Sequence, residues 1–218
     1  MASASWPPID RDDLKGAASR AGFDTDFPLL IRRLIAETAV GLTDLDTPGG
    51  SGTAAGGFDG VVAANGRTIE VPAGTSVWEL SVTDQAQGKA DEDYGKRLDG
   101  PDGLPTGDVA YVQAILAPWT KSRTWASARR KEGRWRDVVA LNLDAVHAWL
   151  DRAPATTAWL AERLGKAMPG VRLIDQWWST RGYRRPGPGS ARRSSSPDGR
   201  SRPSQWSSCS RRAAASSR

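Results

Sequence analysis

The segment spanning residues 58–97 constrains the fold more than any other part of the chain. Two short runs rich in apolar and β-branched residues, 58–64 and 76–82, predict two strands. Asn65 and Gly66 follow the first run and favour a type I′ turn, because both residue types tolerate a positive φ. We therefore expect a hairpin, in which residues 67–71 form the returning strand and residues 76–82 form the strand after it.

Each of the two apolar runs carries one carboxylate where a half-buried strand normally has none. These acids are Asp59 in the first run and Glu79 in the second. Because side chains alternate along a strand, Glu79 is expected to share a face with Val77 and Ser81, opposite Trp78. Acids in this position need a cationic partner, which can be a basic side chain or a metal ion. They equally fit a solvated sheet face or ordinary salt bridges.

After residue 83 the pattern becomes helical, and Lys89 and Lys96 fall near one side of that helix. The order of a helix, a three-stranded meander with two acids, a helix and a further strand resembles the PD-(D/E)xK nuclease superfamily. The resemblance covers about residues 24–165. It implies an α/β fold with a restriction-endonuclease-like mixed central sheet of about five strands flanked by helices, here followed by a small C-terminal helical extension.

The resemblance gives Asp59 and Glu79 the positions of the two metal-binding acids and implies Mg²⁺ as the cofactor. Mg²⁺ is commonly held by one or two carboxylates together with water and substrate phosphate. The sequence departs from the motif two residues after Glu79, where Ser81 stands in place of lysine. Some members of the superfamily carry this lysine on the following helix, so Lys89 is our first candidate and Lys96 the second.

The function that the resemblance implies is hydrolysis of phosphodiester bonds in DNA by a Mg²⁺-dependent endonuclease domain, with Asp59, Glu79 and Lys89 as its catalytic residues. Such a domain would suit the effector part of a bacterial defence protein. The alternative is a catalytically inactive nuclease-fold module that binds or senses nucleic acid within a larger protein. The position of the Lys89 ammonium relative to the two carboxylates is expected to separate these two functions.

The net charge of +5 suggests a nucleic-acid partner, but this charge is unevenly distributed. Residues 181–218 contain ten Arg and one Asp, a net charge of +9, which leaves residues 1–180 at −4. Cys209 is the only cysteine and lies in this basic tail, a pattern that favours a cytoplasmic protein. No apolar run approaches the roughly 20 residues that span a bilayer, so we expect no membrane partner.

Changes of composition divide the chain into four parts. We expect a flexible N-terminal arm over residues 1–23, the nuclease-like domain over 24–165, and the start of a truncated following region over 166–180. Residues 181–218 contain no Leu, Ile, Val or Phe, so we expect a disordered Arg/Ser-rich tail that binds polyanions. The tail is either native or the product of a reading-frame shift that removed later domains of a longer parent protein.

Within the arm and the domain, hydrophobic periodicity predicts the remaining elements. Asp26 and Asp144 are expected to cap two of the helices, and Glu37 is a candidate auxiliary acid by the resemblance. The expected strands cover residues 42–45, 109–116 and 137–143, and the expected helices cover 12–21, 26–41, 121–134, 144–150 and 154–164.

Overall fold

The computed structural model describes residues 8–47, 57–98 and 106–166. The sequence-based expectations for residues 1–7 and for the region beyond residue 166 lie outside these ranges. The helices and strands of the described part are, in chain order, α1 (Arg11–Ala18), α2 (Phe23–Thr38), β1 (Leu42–Asp46), β2 (Gly60–Ala64), β3 (Gly74–Ser81), α3 (Ala86–Lys96), β4 (Ala110–Ile115), α4 (Ser122–Lys131), β5 (Asp137–Leu141), α5 (Leu143–Leu150) and α6 (Pro154–Arg163).

The five strands form one mixed sheet in the order β1-β2-β3-β4-β5. The β1–β2 and β2–β3 pairs are antiparallel, whereas the β3–β4 and β4–β5 pairs are parallel. In the β2–β3 pair, Gly60 lies opposite Trp78 and Ala64 lies opposite Gly74. The expected α/β architecture, a mixed five-stranded sheet flanked by helices, is therefore confirmed, and the two acid-bearing segments pair directly with each other.

The expected returning strand over residues 67–71 is wrong. β2 returns directly as β3, and residues 65–73 form the loop between them. The backbone N–H groups of Asn65 and Gly66 donate to carbonyls in the turn before β1, each over 2.9 Å. A Cβ atom on Gly66 would lie 2.6 Å from a methyl group of Val40. The Asn-Gly pair therefore packs against the start of β1 and does not close a two-residue hairpin.

The sheet separates two hydrophobic clusters, as the alternation in the third predicted strand indicated. Trp78 of β3 and Val112 of β4 pack in the cluster formed with α1, α2, α5 and α6. Val77 and Tyr111, their immediate neighbours in sequence, pack in the other cluster with α3 and α4. All six residues of β4 are buried, so this strand is central and covered on both faces.

The N-terminal segment is not a flexible arm from residue 8 onwards. Ile9, Leu14 and Ala17 are fully buried in the cluster that contains α2. Asp10 caps α1, because its Oδ1 accepts from Asp13 N over 2.8 Å while its own N–H donates to Asp13 Oδ2 over 2.9 Å. The packed body therefore begins before residue 24, and the short predicted helix is an integral part of it.

The two predicted helix caps were also wrong. Helix α2 begins three residues before Asp26, after Gly22, whose φ is 87°. Helix α5 is capped by Asn142, while Asp144 lies in its first turn. Gly22 precedes α2 without a side-chain cap, whereas Asn142 Oδ1 accepts from Ala145 N over 2.9 Å at the start of α5. In both helices the predicted acid lies in the first turn, where its charge favours the helix dipole.

Candidate functional site

Asp59 lies immediately before β2. It forms hydrogen bonds with the two residues that flank Glu79 on the neighbouring strand, Trp78 and Leu80. Its backbone N–H donates to Trp78 O over 3.0 Å. Its Oδ2 accepts a hydrogen bond from the backbone N–H of Leu80 over 2.8 Å. The antiparallel pairing of β2 and β3 thus brings together two acids that are 20 residues apart in the sequence.

Glu79 is held by Arg97, which follows α3. The guanidinium Nε donates to Glu79 Oε1 over 2.6 Å, and the Glu79 side chain is only 9% exposed. Arg97 also donates from Nη2 to Gly57 O over 2.5 Å and lies 4.5 Å from the centre of the Phe58 ring. Arg97 therefore ties the end of α3 to the segments that carry both acids. It was not identified as a site residue from the sequence.

Lys89 belongs to this cluster, whereas Lys96 does not. Lys89 Nζ lies 2.6 Å from Asp93 Oδ1, and the Asp93 side chain is 7% exposed. Lys96 Nζ pairs instead with Glu92 Oε1 over 2.5 Å, and both of these side chains are more than half exposed. The structure therefore pairs the first lysine candidate with a third, buried acid and leaves the second in an exposed ion pair on α3.

Two buried polar residues of β4 extend the cluster into the protein. Gln113 lies beside Glu79 in the parallel β3–β4 register. Its Nε2 is 3.4 Å from Asp93 Oδ2, and its Oε1 accepts from the Tyr111 hydroxyl over 2.6 Å. Both Gln113 and Tyr111 are fully buried. The only sequence signal for Gln113 is its amide side chain within an otherwise apolar run.

The electrostatics of the two acids are dominated by burial. Burial raises the pKa of Glu79 to about 7, although the hydrogen bond and the charge of Arg97 act against this rise. Burial likewise raises the pKa of Asp59, against the hydrogen bond from Leu80 N–H. The charge of Asp93 raises both pKa values further. A cation placed between these acids would stabilise their ionised forms.

Lys89 is electrostatically coupled to both acids. Its hydrogen bond with Asp93 raises its pKa above the ordinary value, and the charge of Glu79 acts in the same direction. Conversely, the Lys89 charge is one of the influences that lower the pKa of Asp59. Lys89 is therefore a protonated ammonium at neutral pH, held by Asp93 and coupled through its charge to Asp59 and Glu79.

One oxygen of each acid is open to a cation, as a metal ion held by two protein carboxylates would require. Asp59 Oδ1 and Glu79 Oε2 accept no hydrogen bond from the residues that the structure describes. Across the same residues, no group of three or more His, Cys, Asp and Glu side chains is arranged to hold a metal. Oxygen ligands limited to two carboxylates suit Mg²⁺, which keeps several of its waters when it binds to proteins.

Glu37, the candidate auxiliary acid, lies elsewhere and has a structural role. Its Oε1 accepts from Ala155 N over 2.9 Å, and its Oε2 accepts from the backbone N–H and hydroxyl of Thr156 over 2.8 and 2.7 Å. Glu37 therefore satisfies the first N–H groups of α6. This acid is committed to a helix terminus, so the structure gives it neither an auxiliary role at the site nor the alternative of a merely solvated side chain.

Comparisons of the chain with protein-family models, with curated proteins and with solved structures find no match. Among the described residues, no helix has the length and apolar character needed to cross a bilayer.

Proposed function

We propose that this chain is a Mg²⁺-dependent endonuclease that hydrolyses phosphodiester bonds in DNA. Asp59 and Glu79 are its metal ligands, and Lys89 lies beside the attacking water. The observation that carries the proposal is the pairing of the segments that carry the half-buried Asp59 and the buried Glu79, with the charge of Lys89 on α3 coupled to both acids. This constellation combines the groups used for metal-assisted phosphoryl chemistry.

The charge state of the cluster supports a cationic ligand. Both acids have raised pKa values because burial removes them from water. Arg97 engages only one oxygen of Glu79, and Leu80 N–H engages only one oxygen of Asp59. A divalent ion held by the remaining oxygens would activate water and stabilise the charge that develops on the scissile phosphate.

Lys89 acts as a fixed positive charge in this proposal. Its ion pair with Asp93 keeps it protonated, since a raised pKa disfavours loss of the proton at neutral pH. It is therefore suited to orient the attacking water and to stabilise negative charge, and not to act as a general base. The buried bond from Gln113 to Asp93 fixes the acid that holds Lys89 in place.

A second candidate function is an inactive module that binds nucleic acid. The ion pair between Arg97 and Glu79 favours this candidate, because a carboxylate that keeps its arginine partner is less available to a metal. Ser81 also favours it, since this position carries no lysine and the serine hydroxyl accepts only a 3.3 Å hydrogen bond from Thr83 N. The plasmid nicking experiment described next distinguishes the two candidate functions.

The test is nicking of supercoiled plasmid by the full chain with and without Mg²⁺. We expect Asp59→Asn, Glu79→Gln and Lys89→Ala each to lower the Mg²⁺-dependent rate by at least about 100-fold. Lys96→Ala is the matched control, because it removes an exposed lysine from the same helix. The arginine tail is identical in every variant, so its contribution to DNA binding cancels in the comparison.

Two outcomes would contradict the proposal. Nicking that survives the Asp59 and Glu79 substitutions would place the chemistry elsewhere. An intact chain that binds DNA but shows no nicking under any divalent metal would support the inactive module.

A further inference from the structure

A polar cavity opens at the amino-terminal ends of β3 and β5. Its volume is about 320 Å³, and it is lined by Arg67, Pro72, Ala73, Arg130, Arg136 and Asp137. We call it the arginine cavity. It is separate from the acids described above, because Thr75 at its edge and Glu79 are four residues apart on β3, roughly 13 Å along the strand.

Arg136 is fixed against the backbone of β3. Its Nη2 donates to Ala73 O over 2.5 Å and to Thr75 O over 3.0 Å. Gly74 permits this approach, because a Cβ atom there would lie 2.8 Å from Arg136 Nη1. The Nε and Nη1 groups of Arg136 donate to no residue in the described part of the chain. The result is an immobilised guanidinium with unused donors.

Two further arginines share one carboxylate at the same cavity. Arg67 Nη1 lies 2.6 Å from Asp137 Oδ2, and Arg130 Nε lies 3.1 Å from Asp137 Oδ1. Arg130 Nε also donates to Val138 O over 2.7 Å. Asp137 is nearly buried, whereas both arginines are about half exposed. Each of these guanidinium groups therefore keeps free N–H donors on its solvent side, where the cavity lies.

The lining of this cavity carries an excess of positive charge, which favours an anionic ligand. Three guanidinium groups and one carboxylate line the cavity, which gives it a formal charge of +2. This excess is local, since residues 1–180 carry a net charge of −4. Neutralising Asp137 would require one arginine, not three. Planar guanidinium groups with several unused donors match the oxygens of a phosphate better than they match any neutral ligand.

We propose that the arginine cavity binds a phosphate group. Arg136 provides a rigid donor, while Arg67 and Arg130, which are anchored at Asp137, donate to the same phosphate. The site is independent of Asp59 and Glu79, so phosphate binding and DNA nicking can be measured separately. The phosphate can belong to a nucleic-acid strand or to a small phosphate-bearing molecule, and both sources present the same chemistry.

The primary test titrates the full chain with inorganic phosphate at constant ionic strength and pH, with the arginine Nε–Hε NMR signals as the readout. We expect saturable shifts of the Arg67 and Arg136 signals, and binding at least tenfold weaker in Arg67→Ala and in Arg136→Ala. Arg123→Ala is the matched control, since Arg123 is exposed on α4 and lies outside this cavity. Arg67 is on a loop, so its variant remains informative if Arg136→Ala fails to fold.

The proposal fails if the wild-type chain shows no saturable response at Arg67 and Arg136, or if the Arg123 control weakens binding equally. A second titration identifies the source of the phosphate, with a short DNA duplex in EDTA so that no cleavage occurs. A duplex that shifts the same two signals and competes with inorganic phosphate assigns the site to a nucleic-acid strand. A duplex that leaves them unchanged assigns it to a small phosphate-bearing molecule.

Discussion

Lys89 Nζ lies 2.6 Å from Asp93 Oδ1, one helical turn further along α3, and this ion pair determines where the ammonium is held. Asp93 is itself buried and lies within reach of Gln113 Nε2. The position of the Lys89 ammonium therefore depends on an acid that belongs to the protein interior. Fixing a flexible four-carbon side chain costs conformational entropy, so a lysine stays in one position only where a partner such as the buried Asp93 offsets that cost.

The first prediction concerns Asp93→Asn, which removes the charge that holds Lys89 but keeps the shape of the side chain. We expect the nicking rate at saturating Mg²⁺ to fall about 10- to 100-fold, the usual range for a group that orients a functional residue. Mg²⁺ affinity should change little, and this is measured by calorimetry on the same variant. Glu92→Gln is the control, because Glu92 makes the equivalent bond to the exposed Lys96. Equal losses in both variants would show that Asp93 has no special role.

The second prediction concerns the ion pair between Arg97 and Glu79. Arg97→Ala leaves a nearly buried carboxylate without its partner, so we expect the free energy of unfolding at pH 8 to fall by about 3 kcal/mol. The double variant Glu79→Gln with Arg97→Ala should recover most of this loss, since the unpaired charge is then absent. Urea denaturation of the four chains in this cycle measures the coupling. Additive changes in the free energy of unfolding would show that the two side chains do not interact.

The third prediction concerns the pH dependence of stability. The folded-state pKa of Glu79 is about 7, above its ordinary value of 4.5. As pH rises from 4.5 to 7, the unfolded chain releases this proton while the folded chain keeps it, so the free energy of unfolding decreases. We expect Glu79→Gln to be more stable than wild type at pH 8 by up to about 3 kcal/mol, with the gain vanishing below pH 4.5. Parallel stability curves for the two chains would contradict the raised pKa.

The sheet could be predicted from sequence because its signals are local. Runs of β-branched residues and their alternation identify β3 and β4 without knowledge of their partners. The predictions fail where contacts between residues far apart in the sequence determine the local structure. Glu70 of the supposed returning strand is buried by its ion pair with Arg152, 82 residues away. Ile9 is buried within the cluster that contains α2 and α5, so the N-terminal segment gained order from elements that follow it.

The candidate site divides in the same way. Asp59 and Glu79 attract notice in the sequence because acids are unusual within apolar strands. Arg97 and Asp93 look like ordinary charged residues of a helix, and their roles depend on how α3 packs against the sheet. Spacing within the helix placed Lys89 and Lys96 near one side, but only the packed structure separates the paired, partly buried lysine from the exposed one.

The fourth prediction concerns Mg²⁺ itself, with thermal unfolding as a readout that needs no catalysis. A ligand that binds only the folded chain raises its stability by RT ln(1 + [L]/Kd), or about 2.7 kcal/mol at a concentration 100 times Kd. We expect Mg²⁺ to raise the melting temperature more at pH 8 than at pH 6, because protonated Glu79 cannot bind a cation and its pKa is about 7.

Asp59→Asn and Glu79→Gln should each abolish this Mg²⁺-dependent shift in melting temperature. Glu37→Gln serves as the control, since Glu37 is an acid of α2 that binds the start of α6 and lies outside the site. It should lower the melting temperature at every Mg²⁺ concentration while leaving the shift intact. A shift in melting temperature that is independent of pH, or one that persists without Asp59 and Glu79, would show that the metal binds elsewhere. Either result would contradict the proposed catalytic centre at these two acids.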